Sequence, residues 1–193
     1  MKRGKSVHTK HSHSYSANTS KLRMMVFASL FAALTATGAY IMVPVPLSPV
    51  PITLQVFFVL LAGSMLGSKW GSLSMIVYIL LGIVGLPVFA GGSSGIGVLL
   101  GPTGGYIFGF ILAAYMIGKL SRKTRNGAKS SFFINALNMS AGVLVIYACG
   151  AFRLMMVADF DLGKTFALGV IPFLPGDIIK TAVAAYIISK HEI

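Results

Sequence analysis

Long apolar runs alternate with short polar or irregular connections along most of the chain. Residues 24–43, 52–67, 70–90, 106–120, 132–151 and 166–189 each form a run rich in apolar residues and nearly free of charge. A bilayer core about 30 Å thick is crossed by roughly 20 such residues in a helix rising about 1.5 Å per residue. The pattern therefore predicts an all-α membrane protein, a bundle of six transmembrane helices over residues 23–193. Between the first two runs stands Pro44-Val-Pro-Leu-Ser-Pro-Val-Pro51, whose four prolines cannot continue a helix. Residues 91–105 are glycine-rich, hold Pro102, and read as an ordered re-entrant loop or cap. Gly82, Gly85 and Pro87 loosen the end of the third run, and Pro172 and Pro175 interrupt the sixth early.

Composition agrees with the pattern. Of 193 residues, 55% are apolar and 10% charged, and mean hydropathy is +0.82. A soluble domain carries about 25% charged residues, so this chain lacks a polar shell for water. The net charge of +12 suggests nucleic acid at first sight, but its distribution excludes that class. Lys2, Arg3, Lys5, Lys10, Lys21 and Arg23 precede the first run, and Lys119, Arg122, Lys123, Arg125 and Lys129 cluster between the fourth and fifth. Basic residues gathered in alternate connections mark the cytoplasmic side. Lys69, beside Trp70, and Lys190 fall on that same side, whereas the first and third connections carry no Lys or Arg. Arg153 and Lys164 in the fifth connection break the pattern, accompanied by Asp159 and Asp161. Both termini are thus expected in the cytoplasm of a bacterial inner membrane, which requires an even number of crossings.

Residues 1–22, rich in Lys, Ser and His, have little to bury and are expected to form a disordered basic cytoplasmic tail. His8, His11 and His13 lack a fixed scaffold, so no metal site is assigned to them. The lone cysteine, Cys149, excludes an intrachain disulfide.

Charge inside a span marks a functional candidate. Asp177 and Lys180, in Pro172-Phe-Leu-Pro-Gly-Asp-Ile-Ile-Lys180, are the one clear ionisable pair away from span ends. Three residues apart, they share one helix face. Asp177 lies in the first turn after Pro175, where the helix dipole favours a carboxylate. One reading is a neutralising ion pair. The other is a pocket in which Lys180 pairs with a ligand carboxylate while Asp177 accepts ligand N–H groups. Arg153 is a second candidate anchor for an anion. Thr53 and Gln55 lie near the same outer surface, to bond a ligand or to cap the second helix. Phe89 is a candidate for stacking on a ligand ring, and the segment beginning at Gly91 for close backbone approach. Ala28, Ala32 and Ala36 recur every four residues, a spacing that serves close packing either within the bundle or against a second membrane protein.

These stretches resemble the BioY family, the substrate-binding S-components of energy-coupling factor (ECF) importers for biotin. The resemblance rests on Pro51-Ile-Thr-Leu-Gln55, Leu60-Leu-Ala-Gly63, the segment from Tyr78 to Gly92, Gly101-Pro-Thr-Gly-Gly-Tyr106, and the Pro172–Lys180 segment, in the family's order. It implies the six-helix S-component fold and capture of biotin from outside. Asp177 and Lys180 match the family's acidic and basic positions in the last helix. It further implies that the Ala28/Ala32/Ala36 face meets a transmembrane coupling subunit, which in turn carries two ATPase subunits. The chain itself has no Gly-x4-Gly-Lys-Ser/Thr loop, so it is not expected to hydrolyse ATP or to need a cofactor. An S-component for another small vitamin, or a membrane enzyme using Asp177 as a general base, are the rival readings. Against the enzyme, the spans hold no histidine, no carboxylate pair and no nucleophile–base set.

Overall fold

The computed structural model describes residues 8–46, 48–125 and 131–190, most of them helical. Helix α1 runs His8–Gly38. Residues 8–22, expected to be disordered, thus continue the first helix, and residues 1–7 of that tail lie outside the described residues. No glycine or proline occurs between His8 and Thr37, so a helix nucleated in the apolar half meets no breaker as it extends toward the N-terminus. At its other end α1 stops earlier than the apolar run does. Gly38 packs against the Phe58 ring and the Gln55 backbone, and the chain then leaves the helix as strand β1, Met42–Val43. Strand β2, Ile52–Thr53, pairs with it antiparallel, Met42 opposite Thr53 and Val43 opposite Ile52. The proline-rich segment is therefore the loop of a small β-hairpin.

Helix α2, Gln55–Ile83, contains one non-helical residue, Gly67, at φ 76° and ψ 179°. A side chain is strained at that φ, and glycine is not. The chain reverses there. Gln55 and Tyr78, 23 residues apart, would be about 34 Å apart in a straight helix. Instead their side chains are hydrogen-bonded at 2.5 Å. The two halves, α2a (55–66) and α2b (68–83), form an antiparallel pair in which Gly71 lies on the backbone of Ala62 and Gly63.

A glycine-rich flap follows, with a 3-10 turn at Ala90–Gly92 and the short helix α3, Ile96–Leu100. Then come α4, Gly104–Arg125, and α5, Phe132–Ala158. Helix α5 is longer than its apolar run, so Arg153 lies within it rather than in a loop. Asp161 caps α6, Leu162–Gly169, by accepting from the Lys164 backbone N–H at 2.7 Å. A 3-10 turn, Ile171–Phe173, carries Pro172 and leads into α7, Leu174–Lys190. The two prolines divide the sixth run into these pieces.

Among the described residues, four stretches are long and apolar enough to cross a membrane: Gln55–Ile83, Gly104–Lys123, Phe132–Ala158 and Leu162–Lys190. The first of these contains the Gly67 reversal. Helix α1 falls outside this set because only its C-terminal half is apolar. The core lies between α1, α2a, α2b, α4 and α5, around Leu60, Met75, Tyr78, Ile117, Met139 and Ile146. Large apolar side chains such as Phe133, Leu137, Leu144, Phe152, Ile178 and Ile179 face outward. Such a surface suits lipid, where helices associate through close packing and polar contacts rather than through the hydrophobic effect.

Helix α4 is a central packing element. Its Gly105 and Gly109 lie on the backbone of α5 at Cys149 and Ile146, and its Gly118 sits on the backbone of the Gly67–Ser68 turn. Helix α1 turns Ala28 and Ala32 inward, 3% and 1% exposed, and Ser74 of α2b donates to the Ala28 carbonyl at 2.7 Å. Ala36 is half-buried on the same row. Of the Ala28, Ala32 and Ala36 row, Ala28 and Ala32 are packed inside the chain, with α2b against Ala28. The adjoining row, Ser29, Ala33 and Thr37, is exposed.

Gly118→Ala drives a methyl group into backbone that cannot swing away, and is expected to cost about 1–3 kcal/mol. A Cβ at Gly163 comes no closer than 4.0 Å to Asp161, so Gly163→Ala is expected to be neutral or slightly stabilising. Thermal unfolding in detergent checks both: a clear fall in midpoint for the first and none for the second.

Candidate substrate-binding site

Three kinds of backbone converge on one cavity of about 410 Å³. The β-hairpin brings Pro49 to Thr53, the flap brings Ala90, Ser93, Gly97, Val98 and Gly101 to Thr103, and the start of α2a, α4, α5, the turn at Phe173 and α7 supply the remaining wall. Ile107, Phe110, Ile146 and Phe173 make much of the lining apolar. Irregular backbone is tolerated at membrane depth where it borders such a cavity.

The polar groups are few and already organised. Pro175 opens α7, and Asp177 follows in its first turn, where it is 4% exposed. Lys180 Nζ donates to Asp177 Oδ1 at 2.7 Å, and Tyr147 OH of α5 donates to Asp177 Oδ2 at 2.7 Å. Both carboxylate oxygens thus hold a donor, each with a lone pair left for a further one. Gln55 begins α2a, and its amide is gripped at both ends. Thr53 Oγ1 donates to Gln55 Oε1 at 3.0 Å, and Gln55 Nε2 donates to Tyr78 OH at 2.5 Å. Tyr106 OH donates to the Gly169 carbonyl at 2.7 Å, tying α4 to the end of α6 just before the bend that aims α7.

Asp177, Lys180, Gln55 and Thr53 all line this cavity. Phe89, Gly91 and Arg153 are not among its lining residues. The Phe89 ring is fully buried in the space that a side chain at Gly82 would need, edge-on to Tyr78 with centroids 5.6 Å apart. It anchors the flap from beneath. Gly91 has φ 68°, and its N–H bonds to the Ala39 carbonyl at 3.3 Å. Its neighbours Ala90 and Ser93 reach the cavity instead. Arg153 donates through Nη2 to the Leu100 carbonyl and so fastens the end of α3 to α5.

Tyr147 and Tyr106 line the cavity and Tyr78 holds Gln55, none of which the apolar runs announce. Their one signal is a phenol within such a run, since a buried hydroxyl usually requires a partner. Tyr147 and Asp177 also border a second hollow of about 350 Å³ between α5 and α7, lined by Phe132, Leu144, Ile178 and Thr181 among others. The described residues hold no cluster of His, Cys, Asp and Glu fit to bind a metal ion.

Comparison with known proteins agrees with this geometry. A biotin transporter BioY of Thermotoga maritima is 47% identical over 166 residues, covering 86% of this chain and 94% of that protein. A probable biotin transporter BioY of Pyrococcus horikoshii is 45% identical, covering 89% and 98%. A crystal structure of the S-component for biotin from an ECF-type ABC transporter superposes with a TM-score of 0.83 at 27% identity, covering 90% of this chain and 92% of that one. The BioY family model matches residues 9–192. With this match spanning nearly the whole chain, and the fold and its cavity as described, the chain belongs to the BioY family.

Proposed function

We propose that the chain is the substrate-capture subunit of a biotin importer, taking up biotin from outside the cell and delivering it through an ECF coupling module. The observation that carries this reading is the buried Lys180–Asp177 pair in the wall of a largely apolar cavity. The names of the relatives and the solved S-component support the same ligand. Biotin offers a compact apolar bicycle, a urea edge and one carboxylate. A cavity of about 410 Å³ suits a molecule of that size. Lys180 takes the carboxylate, while Asp177, braced by Tyr147, keeps Lys180 in place.

The chain crosses a bacterial inner membrane six times: α1, α2a, α2b, α4, α5, and α6 with α7 in series. Both termini lie in the cytoplasm, and the hairpin and flap form the outer mouth. The charge-free first and third connections and the basic cluster before α5 support this orientation. The partner is a transmembrane coupling subunit bearing two ATPases, since this chain has no phosphate-binding loop of its own. Docking falls to the exposed Ser29/Ala33/Thr37 row of α1, because Ala28 and Ala32 of the row beside it are packed inside the chain.

Isothermal titration of the detergent-purified protein with biotin is expected to show one site per chain; a flat titration rejects the ligand. Lys180→Ala is expected to cost biotin binding about 2–5 kcal/mol. It should weaken an analogue lacking the carboxylate by clearly less, and equal losses would remove Lys180 from the carboxylate. Ala33→Trp is expected to leave biotin binding intact while abolishing co-purification with the coupling subunit. A complex that survives this change docks through another face.

A further inference from the structure

Tyr78 is 0% exposed and absent from the cavity lining, yet it touches several parts that shape the site. Its hydroxyl accepts from Gln55 Nε2 at 2.5 Å. Its ring packs edge-on against Phe89, at the root of the flap, and at 6.5 Å against Phe110 in the cavity wall. For packing alone a phenylalanine would serve there without burying a hydroxyl, which is costly unless it is bonded.

We propose that Tyr78 is a positioning residue of the binding site, holding the Gln55 amide in the orientation in which it meets the ligand. The inference rests on the biotin reading for its choice of ligand. An amide has two N–H donors and two lone pairs. Tyr78 takes one donor and Thr53 one lone pair, which leaves one N–H and one lone pair on a side chain that lines the cavity. A cyclic urea presents the complementary set, one acceptor beside one donor. The Lys180 and Asp177 tips touch at 2.7 Å, whereas a bicyclic body and a methylene chain separate the two polar ends of biotin. That pair meets one end at a time. With Lys180 on the carboxylate, the urea is read at Gln55, and only an amide fixed at both ends reads it selectively.

The test titrates the full-length protein in detergent with biotin and with a biotin methylated on a urea nitrogen. Tyr78→Phe is expected to weaken biotin about tenfold, the worth of one neutral hydrogen bond. The methylated analogue should weaken much less, so that selectivity between the two falls. In a Gln55→Leu background the same change is expected to have no further effect. Thr53→Val, which frees the other end of the amide without touching the buried ring, is expected to behave likewise. Equal losses for both ligands, no loss for either, or full additivity with Gln55→Leu overturns the positioning role. Absence of biotin binding by the unmutated protein instead overturns the function on which it rests.

Discussion

A carboxylate and an ammonium taken out of water within a bundle of membrane helices cost several kcal/mol each unless they meet partners of good geometry. Asp177 and Lys180 meet that requirement within one helical turn, and Tyr147 supplies a further donor from α5. Much of the surrounding architecture can be understood as what such a pair demands. Helix α7 must begin at the depth of the pair, which Pro172 and Pro175 achieve by ending the α6 direction and starting a new one. The bend in turn needs a fixed point, which Tyr106 provides by holding the Gly169 carbonyl.

The same demand explains the irregular segments. Hairpin and flap bring irregular backbone to the cavity, and both are braced by contacts that lie outside it. Tyr40 OH reaches across to the Pro87 carbonyl at 2.5 Å, joining the segment before the hairpin to the flap. Gly91 bonds to Ala39, Phe89 fills the notch at Gly82, and Arg153 holds the end of α3. Three of the residues that draw attention in the sequence, Phe89, Gly91 and Arg153, therefore shape the mouth from behind.

The apolar runs and the buried charges were legible in the sequence because lipid enforces them strictly: a spanning helix has a minimum length, and a charge within it stands out. Asp177 and Lys180 could be found that way, and so could the proline and glycine segments that border the cavity. What could not be read depends on which side of a helix faces inward. In a bundle surrounded by lipid, inner and outer faces are both apolar, so periodicity does not separate them. The Ala28 and Ser29 rows of α1 look equivalent as sequence, and burial together with the Ser74 contact distinguishes them. The phenols of Tyr78, Tyr106 and Tyr147 likewise became informative once their partners, 23, 63 and 30 residues away, were in place. Arg153 lies within a helix because α5 runs past its apolar run by more than a turn, which hydropathy does not reveal.

The order in which the walls of the cavity occur along the chain bears on how the protein is made. Gln55 and Thr53 enter early, Tyr106 and Phe110 midway, and the ion pair arrives on α7, after every other wall has been synthesised. A nascent chain that has inserted only as far as α5 therefore carries an open trough with no cation in it, and Tyr147 has no carboxylate to bond. Joining of α7 completes the cavity wall and brings both members of the ion pair together, already matched within one helical turn. The ion pair is in this sense a property of the completed chain.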